Sequence, residues 1–230
     1  NINRGKMEKE TFKKIENFML ENCGEVAHNK GHIYRVLYNA LEIAKNEKDV
    51  DLDILITACL LHDIGRAKEL SDKSIDHAVW GSEVAYKWLK ENSFSEEFSR
   101  AVSECILCHR YRGENIPKTV EAKILYDSDK IDACGLIGIA RTLEYKGVIG
   151  EPIYTVKNGK IENGNDKTNQ SFFTEYINKL SKIEAKLTTE KGRKIAKNMQ
   201  KQAEEFYNSL YGYLDDLYSD GNKALGNILT

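Results

Sequence analysis

Residues 54–61 are apolar apart from Thr57 and run directly into His62 and Asp63. Burying an imidazole and a carboxylate at the end of such a run is costly unless something compensates them. A divalent cation does so, because neutral imidazole and carboxylate are both good ligands; backbone groups and water are the plainer alternative. Three more histidines, His32, His77 and His109, sit at or beside expected helix ends, and Asp129 is, with Asp63, the carboxylate nearest apolar surroundings. The helix ends of an all-α bundle can converge on one pocket, which would bring these six nitrogen and oxygen donors together. With waters completing the coordination sphere and few sulfur donors at hand, the metals suited to such a set are Mn, Fe, Mg, Co, Ni or Zn.

Positioning these side chains falls to helices. Phe12, Ile15, Phe18 and Met19 form one apolar stripe, which Gly24 would end, and Ile33, Val36, Leu37, Ala40, Leu41 and Ala44 form a second, with His32 in its first turn. Asp49 to Asp53 offers capping carboxylates for the helix that ends at His62 and Asp63, with Gly65 as its stop. A Lys-, Asp- and Ser-rich stretch over 68–75 reads as a loop, after which Asp76 caps a helix with His77 in its first turn. Ser93 to Glu96 resembles a capping box for the next helix, which closes at His109. A helix from Val120 carries Asp127, Asp129, Lys130 and Asp132 and is expected to continue past Arg141 to Tyr145. Residues 147–170 break the pattern, with a hairpin signal around Asn158 and Gly159. Helix resumes over 172–187 and 190–217, with Thr188 or Thr189 as a cap. The fold class expected is all-α: a single domain over 1–230, with a core at about 20–146, an excursion near 147–170 and C-terminal helices 171–217 packing on the core.

The 230 residues are enough for a sizeable core, and 41% hydrophobic with 30% charged residues is ordinary for a soluble globular protein. A net charge of −2 gives no whole-chain basic field for nucleic acid or anionic membrane. No apolar run approaches a membrane span, and the polar N-terminal residues lack a signal-peptide core. Five cysteines, four of them in apolar or helical contexts (Cys59, Cys105, Cys108, Cys134), read as reduced core thiols of a cytoplasmic protein. Cys105 to His109 has the spacing of covalent haem attachment, but that chemistry needs export, and here the motif lies inside a helical stripe.

The order and context of these residues resemble the HD-domain metal-dependent phosphohydrolases over roughly residues 28–145. The signature is carried by His32 in Gly-His-Ile-Tyr-Arg-Val, by His62 and Asp63 in Leu-Leu-His-Asp-Ile-Gly, and by Asp129 in Asp-Ser-Asp-Lys-Ile-Asp-Ala. The sequences around Arg141 and Arg193 are similar to those of the bacterial branch that acts on nucleoside triphosphates. The resemblance implies a helical bundle with a divalent metal on His32, His62, Asp63 and Asp129. His77 and His109 occupy, in order, the places of the second-metal histidines of dinuclear members; the other reading puts them at the pocket rim on phosphate. Asn29 stands where triphosphate-acting relatives often carry Asp, and Arg110 to Asn115 replaces the Gly-Tyr-Pro element of cyclic-dinucleotide phosphodiesterases. His28 reads as structural.

The activity this implies is hydrolysis of a phosphoester or phosphoanhydride in a nucleotide or small phosphorylated metabolite by metal-activated water. Asp63, Lys130 and Arg66 are the expected catalytic residues, with Arg35, Arg110, Arg112 and Lys130 on the substrate and Asp127 and Asp132 behind the ligands, orienting them. Two alternatives stand beside it: a dinuclear-iron oxygenase using the same ligands, and a nucleotide-binding HD module without turnover. The expected partner is a small phosphorylated molecule, neither nucleic acid nor membrane, in a monomer or a homodimer built through 147–170 and the C-terminal helices.

Overall fold

A computed structural model describes residues 7–22, 30–110 and 115–229. His28, Asn29 and Arg112, together with the helix stop expected at Gly24, lie outside the described residues. The fold is all-α. The chain divides into two compact units, residues 1–132 with 187–192, and 133–186 with 193–230.

The first unit is arranged around its third helix. Helices α1 (Lys9–Asn22), α2 (Lys30–Ala44), α6 (Glu96–Cys108) and α7 (Val120–Ile131) all pack against α3 (Leu52–Leu61). Enclosure on several sides is why the sequence of α3 is apolar all round rather than striped: Leu55, Ala58, Cys59, Leu60 and Leu61 are fully buried. Each such leucine stabilises the fold by about 1.5–3 kcal/mol relative to exposure. The Asp51 carboxylate starts the helix, accepting from the backbone N–H groups of Asp53 and Ile54 at 3.0 and 3.1 Å. Asp76 does the same for α5 (His77–Glu91), as expected; Ser95, inside the expected capping box, is the residue that caps α6, and Thr119 caps α7.

Four features differ from the sequence reading. The polar stretch after Asp63 contains a short helix, α4 (Arg66–Ser71). Helix α7 stops at Ile131 and a separate helix, α8 (Gly135–Ile149), follows, with the backbone between them extended at Cys134 and left-handed, φ +61°, at Gly135. The expected helix 172–187 is α9 (Phe172–Asn178) followed by two 3-10 turns, whereas α10 (Glu190–Ile228) runs past Leu217.

In the second unit, Asn158 and Gly159 form the turn of a two-stranded antiparallel hairpin, β1 (Val156–Lys157) with β2 (Lys160–Ile161). Both turn residues have positive φ, 52° and 75°, as a tight type I′ connection requires. The core here is aromatic: Phe172, Phe173 and Tyr176 of α9 meet Phe206, Tyr207 and Tyr211 of α10, with Tyr176 stacked on Tyr207 at 4.6 Å. The buried Tyr207 hydroxyl donates to the carbonyl of Asn163 at 2.6 Å. Among the described residues no helix is long and apolar enough to cross a membrane.

Candidate metal centre

The four histidines arrive by two local devices. His62 and His109 each cap the C-terminus of a helix, and each ring donates its Nδ1–H to the carbonyl three residues back: Cys59 at 2.8 Å and Ile106 at 2.6 Å. Each bond ties the ring to the last turn of its own helix and fixes its orientation, and the Ile106 carbonyl also accepts the His109 backbone N–H at 3.3 Å. His32 and His77 lie in the first turns of α2 and α5 and donate Nδ1–H to carboxylates instead: Asp132 at 2.7 Å and Glu69 at 2.9 Å. With the Nδ1 proton committed on every ring, the neutral form of each imidazole carries a bare lone pair on Nε2.

All four Nε2 atoms turn inward. Those of His32 and His62 are 3.3 Å apart and those of His77 and His109 are 3.1 Å apart, and all four rings are fully buried. Asp63 stands between the pairs. Its Oδ2 lies 3.5 Å from His32 and 3.7 Å from His62, while its Oδ1 lies 3.3 Å from His77 and 3.6 Å from His109. Asp129 Oδ1 is 3.5 Å from His32 Nε2. Two groups of potential ligands result, His32–His62–Asp129 and Asp63–His77–His109, each with its donor atoms within 4.8 Å of one another.

The donor set passes a test of fit for cations. Lone pairs this close repel unless something positive lies between them. Ligands at right angles on an ion about 2.1 Å away are themselves roughly 3 Å apart, close to the separations found here. Every donor is nitrogen or oxygen, which suits Mn, Fe, Co, Ni, Zn or Mg.

The electrostatics agree. Burial alone would lower the His32 imidazole, but Asp132, Asp63 and Asp129 outweigh it and hold the group above its ordinary value. Burial would raise Asp129, but Lys130 first, then His32 and His62, hold its carboxyl well below the usual range. His62, with less carboxylate support, is pushed by burial down to about 3, and burial also lowers His77. Burial therefore favours the neutral imidazole at His62 and His77, while the carboxylates around His32 favour its charged form, as a cation placed among them would be favoured.

The remaining expected residues separate into two groups. Arg66 donates through Nε to Asp63 Oδ1 at 3.0 Å, and Lys130 Nζ to Asp129 Oδ2 at 2.7 Å, with the Tyr126 ring 5.3 Å below the ammonium. Both stand beside the metal centre. Arg35, expected on the substrate, donates to Asp132 through Nε at 2.6 Å and a terminal nitrogen at 3.0 Å. Arg110, expected there too, donates to Glu69 at 2.6 Å and Asp76 at 3.2 Å. Asp132, expected behind a ligand, accepts from His32 Nδ1 at 2.7 Å. Asp127, also expected behind a ligand, accepts from the backbone N–H and hydroxyl of both Thr188 and Thr189, at 2.7–3.1 Å. Glu69 was not singled out from the sequence; it lies in a stretch that reads as polar loop, and one of its partners, Arg110, is 41 residues away.

Gly65 matters through its missing side chain. A Cβ there would lie 2.2 Å from the His77 carbonyl oxygen, so the turn carrying Asp63 and Arg66 reaches His77 only because residue 65 is glycine.

Comparison with known proteins places this geometry. The HD domain family matches residues 30–134, which hold all six potential ligands. Uncharacterized protein YpgQ of Bacillus subtilis (strain 168) is 26% identical over 194 residues, 84% of each chain. The crystal structure of YpgQ in complex with ADP superimposes with a TM-score of 0.70 at 24% identity, over 88% of this chain and 97% of that one. A predicted HD superfamily hydrolase from an uncultured Thermotogales bacterium gives a TM-score of 0.60 at 29% identity, covering 89% of this chain and 92% of that one. Ribonuclease Y of Borreliella burgdorferi is 37% identical over 93 residues, which are 40% of this chain and 16% of that enzyme.

Proposed function

We propose that this chain, whose residues 30–134 match the HD domain family, is a metal-dependent phosphohydrolase cleaving a phosphoester or phosphoanhydride bond of a nucleotide or small phosphorylated metabolite. One observation carries the reading: four Nε2 lone pairs and both oxygens of Asp63 converge at 3.1–3.7 Å with every Nδ1 proton already used. His32, His62 and Asp129 would hold one divalent ion, His77 and His109 a second, and Asp63 would serve both. Such ions supply Lewis acidity toward a phosphoryl oxygen and a water acidified toward neutral pH.

The chain's own residues do the rest. Arg66 and Lys130 are fixed beside the ligand carboxylates and supply positive charge where phosphoryl oxygens become more negative in the transition state. Both are already oriented, so little reorganisation is needed as charge develops. Burial keeps the imidazoles of His62 and His77 neutral and available as ligands near pH 7. A nucleotide is favoured over nucleic acid because YpgQ, similar over most of its length, was crystallised with ADP, whereas the ribonuclease match covers a small part of that enzyme. The net charge of −2 also offers no field for a polyanion.

The test is metal analysis of protein purified without chelator, followed by phosphate and pyrophosphate release from nucleoside mono-, di- and triphosphates with Mn, Mg, Co and Ni. Metal-dependent release that EDTA and Asp63→Ala abolish is expected. Metal-loaded protein inert toward the whole panel would overturn the reading. Because the same six donors suit two irons, iron content with oxygen consumption would point to an oxygenase instead.

A further inference from the structure

The two halves of the centre are built alike, and the likeness assigns roles to residues outside it. Each half contains one histidine oriented by a backbone carbonyl, His62 on Cys59 and His109 on Ile106, which no side-chain substitution can remove. Each also contains one histidine oriented by a carboxylate, His32 on Asp132 and His77 on Glu69. Each carboxylate is in turn clamped by an arginine, Asp132 by Arg35 and Glu69 by Arg110.

We propose that Glu69 and Arg110 are positioning residues for the second metal site: Glu69 fixes the His77 ring with its Nε2 lone pair inward, and Arg110 fixes Glu69. This rests on the two-ion reading above. Glu69 Oε2 accepts from His77 Nδ1 at 2.9 Å and from Arg66 at 3.1 Å, and its Oε1 accepts from Arg110 at 2.6 Å. Three donors on one carboxylate leave its side chain little freedom. Arg110 is braced from the other side by Asp76 Oδ2 at 3.2 Å, and Asp76 Oδ1 caps the helix that begins at His77. Arg110, Glu69, Asp76 and His77 therefore form one closed network, and the Arg110 side chain is only 13% exposed. A guanidinium held this way is committed to the centre and is a poor candidate for a mobile arm on the substrate. An imidazole that loses such a partner can rotate or exchange tautomer, and removing a group of this kind typically weakens metal affinity about 10–100-fold.

The site-selective pair Glu69→Ala and Asp132→Ala tests this, with Mn and Co titrated into metal-free protein by calorimetry, ion content measured by mass spectrometry, and histidine tautomers read from 15N NMR. Wild type should take two ions per chain. Glu69→Ala should keep the first and bind the second about 10–100-fold more weakly, and in the metal-free protein His77 should lose its fixed Nδ1–H tautomer. Asp132→Ala should do the reverse, with His32 as the affected ring. Glu69→Gln, which keeps an acceptor oxygen for His77, should recover part of the second-ion affinity, and Arg110→Ala should weaken the second ion without touching the first. The retained first ion shows that each Glu69 variant is folded. If wild type takes two ions and Glu69→Ala takes both with unchanged affinity and an unchanged His77 tautomer, the assignment is wrong and the two-ion reading stands. If wild type takes only one ion, the two-ion reading itself fails and the assignment goes with it.

Discussion

Gly65→Ala would add one carbon at the tightest point of the metal centre. The added Cβ would lie 2.2 Å from the His77 carbonyl oxygen and 3.0 Å from its carbonyl carbon and Cα. Ordinary contact begins near 3.4 Å, so backbone must move by about 1 Å, and neither partner is a side chain that could swing aside. Overpacking of this kind costs about 1–3 kcal/mol, and the backbone-on-backbone geometry places it at the upper end. For a chain of this size that is roughly 6–12 °C in melting temperature. The same displacement carries His77 away from Asp63, so the second ion should bind more weakly while the first is less affected. Differential scanning calorimetry of metal-free protein reads the first effect, and manganese titration the second. A melting temperature within about 2 °C of wild type, with both ions bound as before, would refute the argument that residue 65 must be glycine for the turn to reach His77.

Asp127→Ala should act on stability and not on metal. It would strip four hydrogen bonds from Thr188 and Thr189, leaving buried donors unsatisfied at a cost of about 2–5 kcal/mol in urea unfolding, with ion stoichiometry unchanged. Lost stoichiometry would instead put Asp127 behind a ligand. Stability of the metal-free protein should also fall with acid. His62 is held at about 3 in the folded chain against about 6.5 unfolded, so between those values the unfolded state binds the extra proton and stability declines as pH drops. The lowered His77 acts in the same sense and the raised His32 opposes it. The slope contributed by His62 approaches about 1.4 kcal/mol per pH unit within its window, and His62→Gln should remove it. Urea midpoints that do not change between pH 7.5 and 5.5, in both proteins, would contradict this.

How far the sequence exposes the centre depends on how local each residue's partners are. His62 and Asp63 were legible because a polar pair at the end of an apolar helix needs a compensating partner wherever the helix goes. His32, His77, His109 and Asp129 were legible as helix-end or buried donors in a recognisable order. What could not be read was pairing across the chain. Arg35 and Asp132 are 97 residues apart, Arg110 and Glu69 41 apart, and Asp127 and Thr188 61 apart. A cation near a ligand in sequence looks the same whether or not it also clamps a carboxylate, so the bonds of Arg35 to Asp132 and of Arg110 to Glu69 were not legible. Gly65 reads as a helix stop, and only the fold shows what approaches it. The break at Gly135 and the 3-10 turns after α9 were missed because apolar spacing alone continues through them. The two-residue hairpin was found because Asn-Gly is a local signal that needs no tertiary contact.

The most direct test of the central claim is an anomalous-scattering measurement on crystals grown with manganese. The account predicts two anomalous peaks, one among His32, His62 and Asp129 and one between His77 and His109, with Asp63 touching both. Manganese-loaded crystals in which the four histidines enclose no peak would contradict it.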